Sequence, residues 1–456
     1  MPSLREAHPG EPRRHACVPA QAGVGVGGAG EDCGEAEVIY YQQGGITLRQ
    51  GHVIDELRAL PAGSIQVCVT SPPFYALRDY QTGTWEGGDP GCRHVQRRGH
   101  CIQCEAIWVD QQIGLEPVPD CLGWATGSPC GECYVCRLVE VFRAVRRVLR
   151  DDGCLLINLG DSYAANRSYQ VADSKWQDVG NSVRSVVPNG LKPKDLMMIP
   201  ARVALALQAD GWYLRSEMVG CKIAPMPESV TDRPTSATEK VFLFSKQARY
   251  YYDNVAVAEP TTEEYRTKGR IRDSQYPVPV PNGQEYRKGG SLHKQAEGKP
   301  TRNMRNWFLW YPESYDGAHF AVFPQRIPEM AILAGSSARG ACAECGAPWR
   351  RVVERRLVES DESRPDRGVP GRTGKGHNKQ RAGDPESTTT GWTPTCTCNC
   401  PDVRPCVILD PFVGSGTSMV VAQRLARHGV GIDLQPDYLR LAIARLPGQQ
   451  AMVMEV

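Results

Sequence analysis

The stretch that most limits how this chain can fold is "VILDPFVGSGTSMVVAQRLARHGVGIDL", Val407 to Leu434. An apolar strand runs to Asp410 and a loop with Gly414 and Gly416 follows. Helical spacing then extends from about Thr417 to Arg427, and a second strand ends at Asp433. Glycines let the backbone approach a ligand closely, and the helix start beside them offers unpaired N–H groups. An acidic side chain at the end of the second strand is placed to bind ribose hydroxyls. The segment predicts a nucleoside-cofactor site. Dinucleotide binding is the obvious rival, but "DPFVGSG" lacks the GxGxxG spacing and puts Asp-Pro between strand and glycines.

A second segment, "VTSPPFYALRDY" (Val69 to Tyr80), ends an apolar run at two prolines followed by two aromatics. Read alone, it fits a strand-terminating turn with a core aromatic as well as a ligand-holding corner. Around it, "GITLRQGHVIDELRALPAGSIQVCV" reads as strand (Ile46 to Leu48), helix (near Val53 to Leu60) and strand (Ile65 to Val69). Further on, Leu138, Val139, Phe142, Val145, Val148 and Leu149 recur at helical spacing. "DDG" (Asp151 to Gly153) then reads as a turn into the strand "CLLINLGDSY". A helix at Ile199 to Ala209 and strands at Trp212 to Val219 and Val241 to Phe244 follow. Strands alternating with helices predict an α/β chain with a Rossmann-like, doubly wound, mostly parallel sheet.

Three stretches lack periodicity and read as loops: Ala164 to Lys194, Glu259 to Arg305 and Glu359 to Thr390. The second carries Arg287, Lys288, Lys294, Lys299, Arg302 and Arg305. With a net charge of only +2, a nucleic-acid surface must be a local patch. No apolar run approaches the roughly 20 residues of a membrane span. The first 37 residues, with "AGVGVGGAG" and no compact apolar stretch, read as a disordered leader of a cytoplasmic protein.

The 18 cysteines are too many for a chain of 456 residues that needs no disulfide staples, and most fall at metal-like spacings. "CAEC" (Cys342, Cys345) followed by "CTCNC" (Cys396, Cys398, Cys400) reads as a zinc ribbon split by a long loop. Cys342, Cys345, Cys396 and Cys398 are the expected ligands and Cys400 the substitute. Cys92, His94, Cys101 and Cys104 offer a second set, and Cys121, Cys130, Cys133 and Cys136 a third. Free thiols or redox pairs are the alternative. Trp108, Trp349, Arg350 and Arg351 nearby suit either DNA contact or surface packing.

"DPFVGSGTS" resembles the S-adenosylmethionine loop of DNA amino-methyltransferases, and "TSPPFY" resembles their catalytic (D/N/S)PP(Y/F) motif at Ser71, Pro72, Pro73 and Phe74. "INLGDSY", "MIPARVALALQADGWYLRSEMVGCK", "PMPESVTDRPTSATEKVFLFSK" and "HFAVFPQRI" match further motifs, from roughly Ile39 to Leu446. The catalytic motif precedes the cofactor motif, as in the circularly permuted β group of that family, of restriction–modification or phage type.

The resemblance implies that two acceptors, Ser71 Oγ and the Pro72 carbonyl, hold the hydrogens of an exocyclic amine and free its lone pair for attack on a sulfonium methyl. It implies that Phe74 stacks a base swung out of duplex DNA, with Tyr75 either in the core or assisting. Asp161 is expected either to orient the amine or take its proton, or to cap a helix or turn. Asp410, Pro411, Phe412, Gly414, Gly416 and Thr417 are expected along the methionine part of the cofactor, with Asp433 on the ribose. Phe320 and Phe323 either complete the pocket or pack in the core.

Ser71 at the first motif position resembles the cytosine-N4 enzymes, where adenine-N6 enzymes usually carry Asp. Cytosine-C5 chemistry needs a Pro-Cys pair that Cys221 lacks, so Cys221 is expected to be a buried thiol. Two further readings are a non-catalytic zinc-dependent nucleic-acid-binding protein with a decayed core, and methylation of a protein or RNA amide. Implied partners are double-stranded DNA and a cognate restriction endonuclease. The implied organisation is a leader (1–37), a catalytic half (38–91), a zinc insert (92–136), and core with a recognition loop at 164–194 (137–255). A recognition loop (256–305), a cofactor-pocket segment (306–341), a split zinc ribbon (342–400) and the cofactor half (401–456) complete it.

Overall fold

A computed structural model describes residues 39–76, 80, 82–97, 100–109, 111–116, 118–164, 191–225, 227–260, 301–310, 323–358 and 384–446. At 96–97, 355–358 and 384–387 it describes backbone alone. The leader and most of the two expected recognition loops lie outside these residues.

Nine strands of the described residues form one sheet. They are β1 (Ile39–Gln43), β2 (Ile46–Gln50), β3 (Ile65–Thr70), β4 (Leu149–Leu159), β5 (Tyr213–Lys222), β6 (Thr238–Ser245), β7 (Trp307–Trp310), β8 (Val407–Asp410) and β9 (His428–Asp433). Their spatial order is β1-β2-β9-β8-β3-β4-β6-β5-β7. The central five, β2 to β4 in that order, are mutually parallel. β1 and β6 run against their neighbours, so the sheet is mixed, with antiparallel pairing at β1 and on both sides of β6.

Strand side chains alternate between faces, and here they feed two apolar layers. Leu155, Ile157 and Leu159 of β4 face one layer, together with Phe142, Val203 and Leu207. Cys154 and Leu156 face the other, with Met330, Met419 and Leu439. The first layer is covered by α1 (Val53–Ala59), α2 (Tyr134–Val148) and α3 (Ile199–Ala209). The second is covered by α4 (Arg326–Gly335), α5 (Thr417–Arg424) and α6 (Pro436–Arg445). Helices on both faces leave the carboxyl ends of the parallel strands as the crevice where open α/β sheets bind ligands.

Several expectations are corrected. "DDG" is no turn: β4 begins at Leu149 and runs through it, and the extra residues are absorbed as a register shift opposite Ile65 and Val67. The cofactor-side helix stops at Arg424 rather than Arg427, with Ala426 at φ +57° breaking it. Part of the third expected loop is strand, because Asp384–Thr393 pairs with Arg350–Val358 as a long antiparallel hairpin. Cys221 is half-buried on β5, not buried. No helix of the described residues is long and apolar enough to cross a membrane.

Candidate active site and cysteine centres

β3 and β8 are parallel neighbours, with Val67 opposite Ile408 and Cys68 opposite Leu409, so both end at the same edge. Thr70, the last residue of β3, donates a 2.6 Å hydrogen bond to Asp410 Oδ1, the last residue of β8. Ser71, which begins the proline corner, therefore lies one residue from a direct contact with the glycine-loop strand.

Asp410 is 2% exposed. Its Oδ1 also accepts the Phe412 N–H at 3.1 Å, and its Oδ2 accepts the Ser418 hydroxyl at 2.5 Å. Burial pushes this carboxyl up to about 6, against the pull of those hydrogen bonds. Both oxygens thus accept hydrogen bonds from the chain. Asp410 ties β3, the loop and the first turn of α5 together.

Asp433 is half-buried and likewise raised to about 6 by burial, with the Asp410 charge adding to it. It accepts Gly414 N–H on Oδ2 and Gln435 N–H on Oδ1, each at 2.9 Å. The two glycines serve different ends. Gly414 has φ +50° with open space around the position of a Cβ, so a ligand can approach its backbone. Gly416 has φ +79°, and a Cβ there would lie 2.6 Å from Ala442 Cβ, so it lets α6 pack against the loop. Thr417 is buried and accepts Arg445 Nη1 at 2.9 Å, a guanidinium that also holds the Ser415 carbonyl at 2.8 Å. Pro411 is buried, while Phe412 packs half-buried on the first layer and Phe323 on the second. Phe320 lies outside the described residues. The open backbone at Gly414 beside a carboxylate fits a nucleoside cofactor along the strand ends.

At the corner, Pro72 is buried, while Ser71, Pro73 and Phe74 are half-buried. The Phe74 ring lies flush on Gly160, where a Cβ would come within 2.6 Å of Cε2. Tyr75 is a core residue, its ring 5.4 Å from that of Tyr134. Tyr134, fully buried, donates from its hydroxyl to the Pro73 carbonyl at 2.8 Å. The Pro72 carbonyl is thus the one this tyrosine leaves open.

Sequence reasoning missed Asn158. It is 2% exposed, and its Nδ2 donates to Ser71 Oγ at 3.3 Å and to Glu239 Oε2 at 3.0 Å. Lys222 pairs with the other Glu239 oxygen at 2.7 Å. Asn158 Oδ1 is buried with no hydrogen-bond partner among the described residues. The signal was available: Asn158 is the polar residue inside the apolar strand "LLINL". Asp161 is exposed instead, and its Oδ1 accepts the Ser162 and Ile199 N–H groups at 2.9 and 3.0 Å. It occupies the capping role at the start of α3.

The structure gathers the cysteines into three four-ligand groups: Cys92/His94/Cys101/Cys104, Cys121/Cys130/Cys133/Cys136 and Cys342/Cys345/Cys396/Cys398. Ligand atoms within each lie within 4.8 Å of one another. Cys400 stands outside them, its thiol directed at the Asp402 carbonyl. Zinc–sulfur bonds of about 2.3 Å imply tetrahedron edges of about 3.8 Å. The observed sulfur separations are 3.8 Å for Cys92–Cys101, 3.7 Å for Cys121–Cys136 and 3.9 Å for Cys130–Cys136. The donor sets fit a tetrahedral thiophilic ion.

The third group sits at the amino ends of the strands, away from the crevice: Gln66 donates to the Gly346 carbonyl and accepts from Val407 N–H. Arg351 there is spent on Asp253 and on the Trp392 ring, 4.5 Å away, while Trp108 packs on Trp85.

The sequence matches the profile of the family described as DNA methylase over residues 65–343 and 406–444. It is 32% identical over 413 residues to the Type II methyltransferase M.Cfr9I of Citrobacter freundii, covering 90% of this chain and 91% of that one. It is 31% identical over 414 residues to the Type II methyltransferase M.XycI of Xanthomonas campestris pv. cyanopsidis, with 90% and 91% covered. To the Type II methyltransferase M.SmaI of Serratia marcescens it is 30% identical over 398 residues, with 87% and 89% covered. With the proline corner and the glycine loop joined through Thr70 and Asp410, the chain belongs to the DNA methylase family and is an S-adenosylmethionine-dependent DNA amino-methyltransferase.

Proposed function

We propose that this enzyme methylates the N4 amine of cytosine in double-stranded DNA, with the base swung out of the helix into the corner Ser71-Pro72-Pro73-Phe74. The observation that carries this reading is the Thr70–Asp410 hydrogen bond, which puts the corner and the glycine loop at one edge. An exocyclic amine is a poor nucleophile while its lone pair is conjugated into the ring. The Pro72 carbonyl and Ser71 Oγ accept its hydrogens and turn that pair outward; Asn158, already donating to Ser71, fixes where the hydroxyl points. Phe74, backed by Gly160, offers a half-exposed face on which a base can stack.

S-adenosylmethionine supplies an electrophilic methyl; the loop from Asp410 to Thr417 would hold its methionine part and Asp433 its ribose. Serine rather than aspartate at position 71 supports cytosine over adenine. The catalytic corner preceding the cofactor loop in the chain supports the permuted β-group order. The Type II relatives support a restriction–modification setting with a cognate endonuclease. The recognition sequence would be read by residues 164–194 and 256–305. The three cysteine groups would each hold one structural zinc, ordering segments that lack cores of their own.

Sequencing DNA from cells expressing the enzyme, by a method that separates cytosine-N4 from adenine-N6 marks, gives base and site together. Adenine-N6 marks alone would overturn the cytosine assignment. Elemental analysis should find about three zinc ions per chain, one per group, and metal-free folded protein would end the zinc reading.

A further inference from the structure

We infer that the Cys121/Cys130/Cys133/Cys136 centre controls the catalytic corner, with Tyr134 as the positioning residue that links them. The inference rests on the reading that this group binds zinc. Cys133 is the residue before α2 and Cys136 lies in its first turn, so two of the four sulfurs flank Tyr134 in the chain. Tyr134 is fully buried and holds the Pro73 carbonyl at 2.8 Å, in the middle of the base-holding tetrapeptide.

The loop ahead of α2 orients two of the sulfurs. Cys121 Sγ accepts the N–H groups of Gly123 and Cys130 at 3.3 and 3.4 Å, and Cys130 Sγ accepts those of Glu132 and Cys133 at 3.4 and 3.3 Å. These bonds fix where both sulfurs point, 3.7 and 3.9 Å from Cys136 Sγ. The four ligand atoms lie within 4.8 Å of one another, so an ion bound among them ties the first turn of α2 to the loop that carries Cys121 and Cys130. Removing the ion releases that tie, and Tyr134, which sits between two of its ligands in the chain, loses its fixed position. That turn is also held by burial of Tyr134 and Val135 in the core, by the Tyr75 ring, and by backbone bonds from Tyr134 and Val135 to the Val118 and Pro119 carbonyls. The Asp120–Arg202 ion pair at 3.1 Å ties the same segment to α3. The corner then loses the donor that orients Pro73, and with it the placement of Pro72 and Phe74. The glycine loop, built on β8 and β9, is untouched.

The test uses the full-length protein in four forms: wild type, Tyr134→Phe, Cys130→Ser and the double variant. Metal content, S-adenosylmethionine affinity and the single-turnover methylation rate are measured for each. Tyr134→Phe should keep all its metal and its cofactor affinity and lose about tenfold in rate, the scale of one unmet buried carbonyl. Cys130→Ser should lose one metal ion per chain, keep its cofactor affinity and slow by a similar factor. The double variant should be no slower than the slower single variant, because both changes break one link. Multiplying rate losses in the double variant, a full rate in Tyr134→Phe, or a full rate in Cys130→Ser after its metal is lost would each overturn the coupling. Metal-free wild type would overturn both the coupling and the zinc reading, whereas a full rate with one metal lost leaves the zinc reading standing.

Discussion

Thr70 and Asp410, 340 residues apart in the chain, share a 2.6 Å hydrogen bond at the ends of two parallel strands. That contact brings the proline corner and the glycine loop into one crevice. It also makes Asp410 a brace of that crevice, holding Thr70, Phe412 and Ser418 together.

Asp410→Ala strands the Thr70 and Ser418 hydroxyls and the Phe412 N–H without an acceptor. It should destabilise the fold by about 3 kcal/mol and abolish measurable S-adenosylmethionine binding, because the loop loses its ties to Thr70 and to the first turn of α5. Denaturant melts and calorimetric titration check the two effects, and unchanged affinity would refute the brace.

The raised carboxyls of Asp410 and Asp433 predict a pH signature. Each titrates near 6 in the folded chain and near about 4 when unfolded. The folded state therefore holds protons that the unfolded state has released. The stability these two carboxyls contribute is fully present below about pH 4 and is lost as pH rises through about 6, opposite in sign to the ion-paired Asp151, Asp195, Glu228, Asp232 and Glu259, whose carboxyls are held low. Asp433→Asn should flatten part of that slope in thermal melts. Cofactor affinity should run the other way, weakening below about pH 6 as Asp433 loses the charge that draws ribose hydroxyls. A pH-independent affinity in the wild type would remove Asp433 from the ribose.

Phe74→Ala should leave cofactor affinity alone and slow single-turnover methylation by about 1 to 3 kcal/mol, the value of one base stack. Gly160→Ala should mimic it, because the added methyl would lie 2.6 Å from the ring and displace it. Full activity of Gly160→Ala on duplex DNA would show that the ring position does not matter.

Asn158→Ala removes the donor to both Ser71 and Glu239. The expected result is a fall of about tenfold in the methylation step with unchanged cofactor affinity. Equal losses in rate and in cofactor binding would instead mark Asn158 as a support of the whole crevice.

Much of this molecule is legible locally. The alternation and length of the apolar runs mark β3, β4, β8 and β9, and the glycine loop and the Ser-Pro-Pro-Phe corner are visible because their backbone demands are met by adjacent residues. Cysteine spacing marks the metal-like groups for the same reason, since paired thiolates at CxxC separation belong to one short loop. Where sequence reasoning failed, the deciding partner was remote. It left Asp161 between an amine-orienting and a capping role and did not single out Asn158, both being polar residues near a strand end. Only the packing of β4 between β3 and β6 puts Asn158 under Ser71 and leaves Asp161 at the start of α3. "DDG" looked like a turn because its neighbours across the sheet, which accept it as a bulge, are set by β3.

Residue type and local spacing set which chemistry the chain carries: a proline-rigid corner with a serine hydroxyl and an aromatic face, a glycine loop for a nucleoside, and soft ligands in fours. Tertiary structure alone decided how these meet. Strand order placed Thr70 against Asp410, aimed Tyr134 at Pro73, and sent the Cys342 group to the far end of the sheet. The reason is physical: residue type and spacing specify what a group can bond to, whereas which partner it finds depends on long-range strand pairing and helix packing that no local stretch encodes.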